Sequence, residues 1–234
     1  MQSVVETTAG RLIVSKLVAG APGVVHGFGV RGPDAAAYLD AMGVDDRFIV
    51  KTNQVHGNAV HMLMRPRKGP VLSGDAFISD RPGMVCFVRT ADCVPILMAD
   101  ARRGAVAAVH AGWRGTAMDV AGSTVRAMRE AFGTDPSDLV AAVGPRICGK
   151  CYEVGEEVIE AMGKAGLSES CLAGGRRVDL GKANATLLAR AGIPESRVEV
   201  IPRCTSCERE FVSWRRDRTE EERQFNFIVI TGEG

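Results

Sequence analysis

Two histidines and one cysteine carry the chemistry most readily read from this chain. His56 in NQVHG, Cys93 in TADCVP and His110 in VHAGWRG come from three separated segments, each beside small residues or a turn former. Two nitrogens and a sulfur make a zinc set, and three protein ligands leave a fourth position for water or substrate, as in catalytic zinc sites. A metal-free reading makes Cys93 a nucleophile and His110 its base, which leaves His56 unused. If the three do not converge, the bland reading stands. A lone Cys is usually a small buried hydrophobe, and a lone His a hydrogen-bonded or surface residue.

Other polar residues fall around this set. Asp75 in GDAF and Asp92 beside Cys93 are candidates to orient a ligand histidine. Arg31 follows a glycine turn and Arg114 precedes a helix, so both are candidate anion holders. For any single Arg, a surface salt bridge is the ordinary role. His61 lies within a strand pattern and reads as structural, whereas His26, before a glycine turn, is a weaker site candidate. Cys148-x-x-Cys151 and Cys204-x-x-Cys207 offer a rival four-thiolate zinc site. Their separation is long for a zinc ribbon, and Cys151 leads toward a helix start, so two pairs of free thiols are expected.

The elements that must position these residues are short. Strand patterns cover RLIVSKL, VVHGFGVR, RFIVKTNQVHG, AVHMLM, AFIS, MVCFVR, PILMAD, AVAAVHA, DLVAAVGP, VEVIP and FNFIVIT. Helical spacing predicts helices over 34–42, 116–132, 153–166 and 180–191, with Gly43 and Gly133 as stops. PILMAD-ARRG-AVAAVHA reads as a hairpin. A turn centred between Arg102 and Arg103 puts Cys93 opposite Gly112, with His110 diagonal to Cys93 on the same face. A slip of one residue would separate them. Strands occur both as hairpins and between helices, which points to an α+β fold of mixed sheets flanked by helices.

Bulk properties exclude several classes. The 234 residues suit one large domain or two small ones, and with no clean cut a single domain over 1–234 is expected. A net charge of +1 gives no broad case for nucleic acid or an anionic membrane. No apolar run reaches the roughly 18 residues of a membrane span. The N-terminal MQSVVETTAG lacks a secretory pattern, so a cytoplasmic location and reduced thiols are expected for the seven cysteines.

Taken together, HGFGVR, NQVHG, SGDAFISD, TADCVPILMAD, AVHAGWRGT, GPRICGKCYEVG and CTSCEREFVSWRRD resemble the ordered motifs of the YfiH-type laccase-domain ("multicopper polyphenol oxidase") family. The resemblance runs from about Gly27 to the C-terminus. It implies layered mixed sheets similar to the catalytic domain of the cytotoxic necrotizing factor toxins. It implies metal ligands at His56, Cys93 and His110, with Zn2+ the expected ion. It also implies purine nucleoside chemistry: phosphorolysis of adenosine, inosine, guanosine and methylthioadenosine, and deamination of adenosine to inosine. Under that reading Asp75 is the candidate proton shuttle, and Arg31 and Arg114 are candidates to hold phosphate near the ribose C1′. Nucleoside and phosphate are then the only partners, and no protein partner is implied. Two further activities attach to the family: copper-dependent phenol oxidation and hydrolytic editing of a peptidoglycan precursor. The chain departs from the family pattern at Arg146, at Gly149-Lys150 and in the acidic DRTEEERQF.

Overall fold

A computed structural model describes residues 3–45, 49–50, 52–65, 71–219 and 221–231. The N-terminal part runs β1 (Ser3–Thr7), β2 (Gly10–Val14), α1 (Lys16–Ala19), β3 (Val24–Gly29), α2 (Ala35–Ala41), β4 (Thr52–Asn53), β5 (Val60–Met62) and β6 (Leu72–Ser73). The middle follows with β7 (Ala76–Ser79), β8 (Cys86–Thr90), β9 (Val94–Asp100), β10 (Ala105–Ala111), α3 (Trp113–Ala117), α4 (Val120–Phe132) and β11 (Val140–Val143). The last part is α5 (Glu156–Lys164), α6 (Ser168–Cys171), α7 (Leu180–Arg190), β12 (Val198–Val200), α8 (Trp214–Asp217) and β13 (Gln224–Ile230).

Two sheets dominate. One has the order β1-β2-β3-β13-β8 and is antiparallel throughout; the other is β12-β11-β9-β10-β7-β5, with parallel pairs at both edges. β9 and β10 are buried along their whole length because both faces of their sheet are covered. The period of two sorts their side chains. Val94, Ile96, Met98, Ala107 and Val109 face α4, α5 and α7, whereas Leu97, Ala99, Val106 and Ala108 meet Phe28, Val88 and Ile228 of the other sheet. The outer face of that second sheet packs Leu12, Phe87 and Phe227 on Tyr38 and Leu39 of α2. The layers are therefore helix, sheet, sheet, helix, which is the mixed α+β arrangement expected.

The register of the central hairpin decides the site. Ala105 pairs with Asp100 and His110 with Pro95, so His110 shares the inter-sheet face with Cys93. Asp100 fixes the turn: its Oδ1 accepts the backbone N–H groups of Arg102 and Arg103, and Gly104 supplies a left-handed φ of 59°.

Some expected boundaries shift for local reasons. The predicted helix over 116–132 is two helices, because Asp119 takes a left-handed conformation and caps α4 by accepting from the Gly122 N–H. RLIVSKL ends as a strand at Val14, where Ser15 caps α1. The predicted helix over 153–166 begins at Glu156, after Gly155. The strand expected over RFIVKTNQVHG falls partly outside the described residues; within them, Ile49 bridges to Val85 and β4 pairs with β6. No helix among the described residues is long and apolar enough to cross a membrane.

Candidate metal centre

His56, Cys93 and His110 converge: one ligand atom from each lies within 4.8 Å of the others. They sit where the inter-sheet layer opens to solvent. His110 is the last inward-facing residue of β10 and is buried, Cys93 precedes β9, and His56 comes from the turn after β4. The imidazoles of His56 and His110 meet edge to face, with centroids 4.8 Å apart.

Asp75 builds the site. It extends the β7–β10 ladder, its carbonyl accepting the His110 N–H at 2.7 Å. Its fully buried carboxylate accepts from His110 Nδ1 (2.8 Å) and from the backbone N–H groups of Val55, His56 and Gly57. The donors on Val55, His56 and Gly57 hold the His56 turn, in which His56 itself has a left-handed φ of 58°. Burial pushes Asp75 upward, but these hydrogen bonds outweigh it and keep the carboxyl below its usual range. With Nδ1–H given to Asp75, Nε2 of His110 is left for Cys93 or a metal, the carboxylate–histidine–metal pattern. Asp75, the expected proton shuttle, is placed behind the ligands rather than on the cleft. Both its oxygens are taken and it does not line the cleft, so it orients His110 and His56 instead.

The donor set fits a metal ion. Burial opposes a Cys93 thiolate, yet His110 and His56 override it and lower the thiol to about 6. Burial also opposes a charged His110, while Cys93 and Asp75 raise it to about 9. Each of the two favours the charged form of the other. A divalent cation in place of the second His110 proton meets a soft thiolate and two imidazoles, a zinc-type set. Gly112 completes the cradle. A Cβ there would lie 2.8 Å from His56 Nδ1 and 3.2 Å from Cys93 Sγ, so only glycine lets the two ligands approach.

The ligands open into a cleft of about 1180 Å³. Its walls carry the aromatic rings of Trp113, Tyr152, Trp214 and Phe225 and the guanidinium groups of Arg89, Arg114, Arg215 and Arg223. Arg114 lies over Trp113 at 4.3 Å and Arg215 over Tyr152 at 5.3 Å. None of the four arginines is ion-paired with a carboxylate among the described residues. Burial, then the charge on Cys93, push Tyr152 up to about 12, so it stays a neutral phenol.

Not every expected residue reaches this cleft. Arg31 does not line it. Its guanidinium pairs with Asp217 and with Glu222, the latter at 2.6 Å, so the acids of DRTEEERQF include its partner. Asp92, with a left-handed φ of 84°, accepts from Thr205, Ser213 and the Arg215 N–H, so it anchors later loops and does not orient a ligand histidine. His26 is buried and accepts the Ser15 N–H through Nε2; His61 Nε2 lies 2.9 Å from the Ser73 carbonyl. Tyr152, Trp214 and Arg215 received no role from sequence reasoning, although they lie in the GPRICGKCYEVG and CTSCEREFVSWRRD motifs.

A layered α/β/β/α protein with an open His–Cys–His centre at the mouth between its sheets defines the class: an enzyme fold with a candidate metal site. The family model described as multi-copper polyphenol oxidoreductase laccase matches residues 34–231. The chain belongs to this laccase-like, YfiH-type family. It is 40% identical over 192 residues to a purine nucleoside phosphorylase of Deinococcus radiodurans, covering 81% of this chain and 73% of the relative. It is 34% identical over 219 residues to adenosine deaminase RL5 of an unknown prokaryotic organism, covering 84% and 83%. Among solved structures, YfiH of Bacillus licheniformis superposes with a TM-score of 0.84 at 28% identity, covering 97% of each chain. YlmD of Geobacillus stearothermophilus superposes at 0.80 and 26% identity, covering 94% of this chain and 96% of that one.

Proposed function

We propose that this protein is a metal-dependent purine nucleoside enzyme. It cleaves adenosine, inosine, guanosine and methylthioadenosine with phosphate, and it deaminates adenosine to inosine. The observation that carries this reading is the meeting of a His–Cys–His ligand set with an aromatic, arginine-lined cleft. The names of its relatives, purine nucleoside phosphorylase and adenosine deaminase, support it.

Zn2+ held by His56, Cys93 and His110 would supply Lewis acidity and bring the pKa of water near neutrality. The protein's own residues do the rest. Trp113, Tyr152 and Trp214 offer faces on which a planar base stacks. Arg114, with Arg89 and Arg215 on the same walls, supplies the cations for phosphate. In phosphorolysis a phosphate oxygen bonds to the ribose C1′ as the bond from C1′ to the purine nitrogen breaks. Fixed guanidinium groups hold that oxygen in line without reorganising. In deamination a water oxygen bonds to purine C6 and ammonia leaves. Asp75 keeps His110 in one tautomer through both reactions.

Copper-dependent phenol oxidation has less support. An oxygen-reducing copper cluster needs many imidazoles. This chain has four histidines, and His26 and His61 are hydrogen-bonded away from the cleft. Adenosine incubated with and without phosphate tests the proposal. Adenine and ribose 1-phosphate are expected only with phosphate, and inosine under both conditions. No product from any of the four nucleosides would overturn the reading and leave peptidoglycan-precursor editing or a Cys93–His110 hydrolase. Activity that survives complete metal removal would favour the hydrolase.

A further inference from the structure

Six cysteines lie outside the cleft centre. Cys86 and Cys171 are buried among apolar side chains. The other four meet. The Sγ atoms of Cys148, Cys151, Cys204 and Cys207 all lie within 4.8 Å of one another, with Cys151 and Cys207 3.4 Å apart, and none forms a disulfide. Zn–S bonds of ~2.3 Å in a tetrahedron put sulfurs ~3.8 Å apart, so the thiols already stand at metal-ligand spacing.

Topology explains how two pairs so far apart in sequence meet. β11 and β12 are parallel neighbours, so their following loops leave the sheet at the same end. The helices α5, α6 and α7 fill the crossover between them. Past the strands, Arg146 bridges to Cys204, with Arg146 N–H on the Arg203 carbonyl and Thr205 N–H on the Arg146 carbonyl. Each pair sits on a tight turn: Cys151 N–H reaches the Cys148 carbonyl at 2.9 Å, and Glu208 N–H the Cys204 carbonyl at 3.0 Å. The Cys148 N–H points at Cys204 Sγ at 3.3 Å, a donor suited to a thiolate. The two pairs of free thiols expected from the sequence thus lie together, because sequence separation says nothing about parallel neighbours.

Charge supplies an independent argument. Arg146 is only 7% exposed, its Nη1 donates to the carbonyls of Gly144 and Ile201, and its Nε has no partner. Among the described residues no carboxylate ion-pairs with it. A buried cation satisfied only by carbonyls is expensive unless an opposite charge stands near. Four thiolates around a divalent ion carry a net charge of about −2, immediately beside this guanidinium. Asp179 attracts this guanidinium without ion-pairing to it, and four neutral thiols would add nothing to that.

We infer that Cys148, Cys151, Cys204 and Cys207 hold a second metal ion, a structural Zn2+ in a closed four-thiolate site separate from the cleft. With all four positions taken by protein, it binds no substrate. It clips the loop after β11 to the loop after β12. These loops continue to Tyr152 and to Trp214 and Arg215 on the cleft wall, where Arg215 Nη2 also donates to the Glu153 carbonyl.

The test is metal content of the full chain isolated under reducing conditions with no metal added. Two zinc equivalents per chain are expected. His56→Ala and the pair Cys151→Ser/Cys207→Ser should each remove one, and the combination both. Sulfur-only coordination of one ion in the unmutated protein is read separately, from thiolate-to-metal absorption after cobalt exchange, and does not depend on the variants folding. A single equivalent that disappears in His56→Ala would overturn the inference. So would cobalt bands lacking a four-sulfur component, or Cys151 joined to Cys207 as a disulfide after reducing isolation. None of these readouts uses nucleoside turnover.

Discussion

At the scale of single residues, Asp75 and Gly112 do as much for the centre as the ligands. Asp75 receives four hydrogen bonds on a buried carboxylate, and bonds to charged groups are worth about 1.5–3 kcal/mol each. Asp75→Asn keeps the shape but removes the charge and one acceptor. It should weaken metal retention about 10–100-fold, as loss of such outer partners does; a competitive chelator titration measures it. Unchanged retention with altered pH dependence of deamination would restore the proton-shuttle role. Gly112→Ala should abolish turnover while leaving the circular dichroism spectrum native, because the added methyl falls 2.8 Å from His56 Nδ1. His110 and Cys93 were readable from sequence as partners, because a two-residue period and one turn fix their geometry. His56 was not, since its position depends on a carboxylate nineteen residues later in the chain.

At the scale of elements, the hairpin β9–β10 and the helix that starts at Asp34 were legible. Asp34 is a local signal that needs no tertiary context, whereas the caps at Asp119 and Asp179 went unread, and Asp119 splits a stretch whose spacing looks like one helix. The cleft walls were not, because α8 and the loops after β11 and β12 reach the centre only through the sheet order. Pairing between elements also sets a pH response. His26 on β3 accepts the Ser15 N–H, and burial lowers it from 6.5 to about 4, with Glu199 opposing the shift. A folded-state value below the unfolded one favours folding above pH 6.5, and that contribution is lost as pH falls toward 4. At 1.36 kcal/mol per unit the loss amounts to roughly 3 kcal/mol. Urea denaturation from pH 7 to pH 4 should show this decline, and His26→Gln should flatten it. An equal slope in the variant would remove His26 from the account.

At the scale of the whole molecule, a net charge of +1 conceals an uneven distribution. Several surface arginines are ion-paired, as Arg31 is with Asp217 and Glu222, whereas Arg89, Arg114, Arg215 and Arg223 gather on the cleft walls with no carboxylate ion pair among the described residues. Four guanidinium groups converging on one cleft make it a site of anion attraction. Arg114→Ala should raise the KM for phosphate at least tenfold in phosphorolysis and leave deamination of adenosine within about twofold, since each charge-assisted contact is worth a tenfold factor or more. Equal losses in both reactions would instead mark Arg114 as a holder of the nucleoside.

The most direct measurement pairs metal content with adenosine turnover in the wild type and in His56→Ala. His56 is the exposed ligand, so its loss disturbs the core least. The account predicts that the variant holds one metal equivalent fewer and loses at least a thousandfold in both phosphorolysis and deamination, the order expected when a catalytic metal's chemistry is removed. A variant that loses the metal yet turns over adenosine at the wild-type rate would contradict it.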